Sequence, residues 1–292
     1  MKCTLATLLL LIGLPALCQM SGNSAYNQSE KVFHKNVNML YLGDSAFLIE
    51  ADILLNTPAE SYVAIFGVSQ EGKTLQECNT LIDKRIQGFV AELGKIGIPK
   101  NDVYIDITTQ NKIFDYKIQG NVAEEYLQGF ELKKTVNLRF KDISQIDKLM
   151  ITASQFEIYD LVKVDYIISD IQKIYSQLFA EATTIINRKK ELYLNLTHVT
   201  LLPVSQIYGE EFLSLYPNDR YKSYQAFESG RIERDYESRL SIKNIRKSAT
   251  FYYDKPDESG FDKVINPMVI EPAISFVLRL KVKYTIDKTK KK

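Results

Sequence analysis

Apolar and polar residues trade places one for one through much of this chain, and that alternation limits the folds open to it. Val103, Ile105 and Ile107 alternate with Tyr104, Asp106 and Thr108, and Phe276, Leu278, Leu280, Val282 and Tyr284 repeat the pattern near the other end. Successive side chains of a strand point to opposite faces, so such runs belong to sheets with one buried and one wet face, which are usually antiparallel. Further strands are expected at Ala46 to Leu55, Glu60 to Val68, Leu127 to Phe140, Tyr159 to Ile168 and His198 to Ile207, with the last from Ala273 to Ile286.

Three runs carry the other period. From Thr74 to Lys95 apolar residues fall at Leu75, Cys78, Ile82, Ile86, Phe89 and Leu93, opening on Thr74 with Glu77 three residues on and closing at Gly97 before Pro99. A second helix is expected from Asp142, with Gln145 in the reciprocal position, and a third from Ser169 with Gln172. The sum is an α+β fold, largely antiparallel sheet with helices packed on one face.

Residues 1–18 read differently. Lys2 precedes the apolar run Leu5 to Leu14, and Ala16 and Cys18 supply small residues at a cleavage point, the layout of a secretory signal peptide. The run is too short to span a bilayer, so no transmembrane segment is expected once it is removed. Lipidation of Cys18 is the competing reading, against which stands the bulky Leu17. A polar leader is expected over 19–42, the α+β region over 43–207, a Tyr-rich surface insertion over 208–272 with a hairpin around Tyr236 to Tyr253, a final strand over 273–287 and a basic tail over 288–292. The expected setting is periplasmic or associated with the outer membrane.

Loss of residues 1–18 removes one lysine and leaves equal numbers of acidic and basic residues. No basic footprint of a nucleic-acid binder is present. It also leaves Cys78 as the remaining cysteine, so no intrachain disulfide is expected. A thiol at the start of a helix is a redox candidate, yet Cys78 shares the apolar stripe of Leu75 and Ile82, where a cysteine packs as a small hydrophobe.

"GVSQEGKT", Gly67 to Thr74, spells the phosphate-binding pattern and points to Gly72, Lys73 and Thr74 as nucleotide ligands. Against it stand Glu71 inside the loop, flanking strands that alternate, and an exported setting without nucleoside triphosphate. Thr74 as a helix cap explains the same letters. "LGDSAF" around Ser45 resembles the nucleophile block of GDSL-type hydrolases, but the D-x-x-H block is missing and the chain has only His34 and His198. Two histidines and one thiol without clustering give no metal site, and no catalytic residue or cofactor is assigned. The aromatic insertion supplies the partner-binding candidates: Tyr216, Arg220, Tyr221, Tyr224, Phe227, Tyr252 and Tyr253. The competing reading is a loop that folds back on its own domain.

With the elements in order, "YVAIFGVSQEGKTLQECN", "ELGKIGIPKNDV" and "GFELKKTVNLRFKDISQIDKLM" together resemble the bacterial SIMPL-domain family, from about Gly43 to Ile207 with the last strand added. Two features depart from it: "NRKKELYLNLTHVTLL" lacks the expected glycine turn, and the Tyr-rich insertion is not general. The resemblance implies an exported envelope protein, linked in some members to oxidative-stress defence and in some to homo-oligomers. Binding or self-assembly, with other copies or an envelope protein, is therefore the expected function, and a non-enzymatic one. Thiol-dependent antioxidant action at Cys78 is the alternative.

Overall fold

The computed structural model describes residues 41–43, 45–224, 250–267 and 270–289. Two compact units divide the chain, one of Met1–Val32 with Lys222–Tyr252 and one of Phe33–Tyr221 with Tyr253–Lys292, and nearly all described residues lie in the second. Residues 1–40 of the expected signal peptide and leader, Phe227, most of the expected hairpin from Tyr236, and Lys290 to Lys292 lie outside the described residues, while Tyr41 and Leu42 at the end of the leader are in a strand.

Along the chain run β1 (Tyr41–Gly43), β2 (Ala46–Thr57), β3 (Ser61–Gly72), α1 (Leu75–Leu93), β4 (Val103–Gln119), β5 (Val122–Phe140), α2 (Ile146–Ser154) and β6 (Asp160–Ile167). Then follow α3 (Ile171–Thr197), β7 (Leu201–Leu215), β8 (Tyr221–Tyr224), β9 (Thr250–Tyr253), β10 (Lys263–Ile265) and β11 (Ile274–Ile286). One sheet has the order β1-β2-β11-β7 with β10 beside β2, the other has the order β4-β5-β3-β6, and β8 with β9 forms a separate pair. Every pairing with a defined register is antiparallel except β10 with β2.

The helices follow from their stripes. In α1, Cys78, Ile82, Ile86, Phe89 and Leu93 are buried, and the helix lies on β3 and β5. In α3, Ile174, Leu178, Ala182, Ile185 and Ile186 are buried against β2 and β11. Tyr62, Ala64, Phe66 and Val68 of β3 meet α1, and Phe47, Ile49, Ala51 and Ile53 of β2 meet α3, so a single hydrophobic core takes residues from both sheets. Ring pairs knit it: Phe66 with Phe89 at 5.7 Å and Phe212 with Phe276 at 6.0 Å.

Thr74 caps α1, its hydroxyl accepting from the Glu77 amide at 3.1 Å while the Glu77 carboxylate accepts from the Lys73 amide at 2.8 Å. At the other end a tight turn leads to Gly97, whose φ of 87° suits glycine. The two later helix starts differ from expectation. Asp142 caps a short 3₁₀ turn through Ser144, α2 begins only at Ile146, and Gln145 turns its amide toward Ile96 instead of closing a box. For α3 the cap is Asp170, accepting from Lys173, while Ser169 is held by Glu60. At α3 the Asp170 carboxylate offers a charged acceptor stronger than the Ser169 hydroxyl, whereas at α2 Asp142 keeps the expected capping role and the 3₁₀ turn Ile143–Gln145 delays the helix.

Three strand boundaries also move. β7 runs to Leu215 in register with β11, so the insertion start at 208 falls inside a strand. β4 and β5 extend past Phe114 and Leu127 to a two-residue turn at Gly120 and Asn121, Gly120 taking a φ of 60° as hairpin turns that lead with glycine require. β3 pairs β5 only as far as Gly72 with Phe130. Beyond that point the β4–β5 hairpin continues as a two-stranded arm.

Lys134 lies on the buried face of β5, 6% exposed, and its ammonium donates to Asn79 Oδ1 at 2.9 Å and Asp83 Oδ1 at 2.6 Å on α1. Removing one partner of a buried pair strands the other charge, whereas replacing the charge by an apolar side chain is often neutral. Asp83→Ala is expected to lower unfolding free energy by about 2 kcal/mol, below the usual cost of a buried pair because Asp83 is partly exposed. Lys134→Met is expected to stay within about 1 kcal/mol of the parent. Urea denaturation of the two variants checks the pair.

Candidate functional site

Six of the eight residues of the phosphate-like motif, Gly67 to Gly72, belong to β3 and are paired with β5. A phosphate cradle needs free backbone N–H groups wrapped around an anion, and an extended strand built into a sheet does not provide that concave loop. Thr74 is engaged as the helix cap and the Lys73 amide by Glu77. The residues Gly72, Lys73 and Thr74 thus serve a strand-to-helix join. A Cβ on Gly72 would stand 3.0 Å from Cys78 Sγ, so the join leaves little room for a side chain there.

Cys78 is fully buried, with Sγ 3.3 Å from the Phe130 carbonyl, and burial pushes its thiol above the ordinary value. Both observations place the sulfur in the core in its neutral form, opposite to a reactive thiolate. Ser45 sits in the turn before β2, where its carbonyl accepts from Ile286. His198 ends α3 with a φ of 55°. Among the described residues no group of three His, Cys, Asp or Glu side chains is placed to hold a metal ion. No helix among them is long and apolar enough to cross a membrane.

The partner-binding candidates divide. Tyr216 packs on the core and Pro217 beside it is buried. Asn218 donates to Asp165 of β6 at 2.6 Å, Tyr221 shares a hydrogen bond with Tyr166, and its ring lies 5.6 Å from that of Tyr253. Burial first, and then that bond, raise the Tyr166 hydroxyl above its ordinary value. Arg220 holds Asp254 through its carbonyl. This stretch folds back onto β6. Tyr224 lies in β8 and Tyr252 in β9.

On the wet face of β2, β11 and β7 the structure assembles an ion ladder that sequence reading missed. Arg279 pairs with Glu211 at 2.7 Å and Lys281 with Glu50 at 3.0 Å, each across facing strands. They line a cleft of about 250 Å³ roofed by Ser259, Gly260 and Phe261. Asp52 stands between, its Oδ1 buried without a hydrogen bond and 3.9 Å from Arg279 Nε. Burial, and next the negative charge of Glu50, raise its pKa to about 6, with Asp262 adding and Arg279 and Lys189 opposing. Lys189 itself bonds Asp262 at 2.6 Å.

The arm is the second feature missed. Register puts Phe114 opposite Leu127, Tyr116 opposite Glu125 and Ile118 opposite Ala123, so these six share one face. Asp115 opposite Tyr126, Lys117 opposite Glu124 and Gln119 opposite Val122 form the other. The signal was present, since Phe114, Tyr116 and Ile118 continue the alternation and "QGN" is a turn spelling.

The SIMPL family model, described as a protein of unknown function (DUF541), matches residues 55–242, more than half of the chain. The chain belongs to the SIMPL family. The strand-to-helix join at Gly72, the Lys134 pin and the arm all lie inside the matched stretch, and the β11 strand that completes the first sheet lies after it. No curated protein matches the chain.

Two outcomes follow from these geometries. Native protein is expected to react with a thiol-specific dye at Cys78 at least about 100-fold more slowly than unfolded protein, measured by absorbance with and without denaturant. Because Asp52 holds its proton more tightly when folded, its burial costs stability above pH 6, and that cost fades as pH falls from about 6 toward the ordinary carboxylate value. Asp52→Asn is therefore expected to raise the melting temperature at pH 7.5, with the difference shrinking at pH 4.5.

Proposed function

We propose that this SIMPL-family chain is an exported protein of the cell envelope that acts by binding or self-assembly, with the β4–β5 arm as its contact surface. The observation that carries the reading is the uncovered apolar face of the arm. Phe114, Tyr116, Ile118 and Leu127 are 50%, 61%, 75% and 47% exposed. At about 200 Å² for each fully exposed large side chain they present roughly 450 Å² of apolar surface. That equals the apolar share of one partner in an interface of standard size, about 800 Å² a side and rather more than half non-polar.

A two-stranded hairpin standing alone is marginal in water, and an apolar patch of this size, the largest class a soluble monomer shows, is often functional. The arm is stabilised once something covers it. The envelope setting rests on the layout of residues 1–18. A part in oxidative-stress defence, which the family resemblance implies, would then run through assembly and not through the buried Cys78 thiol.

The chain from residue 19 onward is expected to be an oligomer in solution, and Ile118→Lys or Tyr116→Lys to shift it to the monomer mass by light scattering. An oligomer that survives both substitutions unchanged removes the arm from self-assembly. Amino-terminal sequencing of protein recovered from the envelope is expected to begin at Gln19, and an intact Met1 end would argue against export.

A further inference from the structure

The molecule offers one surface that fits the arm. Between the second half of α3 and the strands β7 and β11 lies an open groove of about 570 Å³. Its walls include Phe179, Ile186, Leu194, Leu201, Leu202 and Ile207. Among the described residues β7 pairs only with β11, which leaves one side of the strand as a sheet edge, and Pro203 stands in this strand, where edge strands tolerate proline. Among the same residues β4 pairs only with β5 and also presents an edge. An extended segment added to a free edge gains main-chain hydrogen bonds while its alternate side chains fill pockets.

Charge selects the arrangement. Of the six residues on the apolar face of the arm only Glu125, opposite Tyr116, is charged, and Lys112 stands at the foot of that face opposite Phe130. The groove lining also carries a single charged residue, Lys190. Its ammonium lies 3.2 Å from Asn187 Oδ1 and 5.3 Å from the centre of the Tyr284 ring, with no carboxylate in contact among the described residues. Arm packed squarely against arm would bring two Glu125 carboxylates into one apolar contact, with Lys112 at the foot of the same face of β4 four positions from Tyr116, which is costly. Arm packed into groove brings Glu125 to a cation instead.

We propose that the arm of one copy seats in the α3–β7 groove of the next, its Phe114, Tyr116 and Ile118 face entering the groove and Glu125 meeting Lys190. The inference rests on the arm being the self-association surface, and goes beyond it by naming the receiving surface and the sense of the contact. Because donor and acceptor patches differ, the contact is heterologous, and each copy gives one arm and receives one.

Charge reversal tests it on the chain from residue 19 onward, with thermal melting to show that each variant is folded. Glu125→Lys and Lys190→Glu are each expected to raise the dissociation constant of self-association by about tenfold or more, as like charges facing across an interface do. The double variant is expected to return to within about threefold of the parent, since the pair is restored with reversed sign. Failure of the double variant to recover overturns the arm-in-groove contact. So does a Lys190→Glu chain that associates like the parent, which with Ile118→Lys still dispersing it would turn the arm toward another copy's arm. If Ile118→Lys has no effect either, or if the parent is a monomer, the arm reading itself fails.

Discussion

Two glycines meet where this architecture changes character. A Cβ on Gly129 would stand 2.6 Å from the Gly72 carbonyl oxygen, and one on Gly72 would press on Cys78. Only bare backbone lets β3 stop there, turn through Lys73 and send α1 back across β5. The same closure that seats α1 ends the third strand. From that point β4 and β5 run on with no third strand among the described residues, so the buried half and the projecting half of one long hairpin divide at a single close approach. The Lys134 ammonium, two turns of the strand pleat further in, then ties β5 to Asn79 and Asp83 of the helix.

What could be read from the residues was mostly what depends on local order. The stripe of Leu75, Cys78, Ile82, Ile86 and Phe89 with its Thr74 and Glu77 box gave α1 nearly to the residue, because cap and stripe agree. Asp170 shows the limit: it and Ser169 stand side by side as candidates for the same orphan N–H groups, and the winner depends on what else is within reach. Glu60, just before β3 and more than a hundred positions away along the chain, takes Ser169, which no local rule would anticipate. The β7 strand was cut short for a similar reason. Glu210 and Glu211 look like loop residues until Arg279 and Tyr175 stand opposite them.

The functional features divide along the same line. Letter patterns misled, since "GVSQEGKT" names a loop only when its amides are free, and here they belong to a sheet. The arm and the groove were legible as alternation and as apolar positions on α3 and β7, yet their exposure was not. Whether Phe114, Tyr116 and Ile118 are covered depends on where β3 ends, and that is decided by the Gly72 and Gly129 contact.

The pairing of β2 with β11 has a consequence of its own. These two central strands match from Ala46 with Thr285 to Thr57 with Ile274, across more than two hundred intervening residues. Contacts so distant close slowly, because loop entropy must be overcome before they return anything. While the polypeptide is being made, β2 waits with one hydrogen-bonding edge vacant and α3 waits without its full bed. The sheet is completed from its middle and late, so the strand at its centre is laid down long before the partner that closes it.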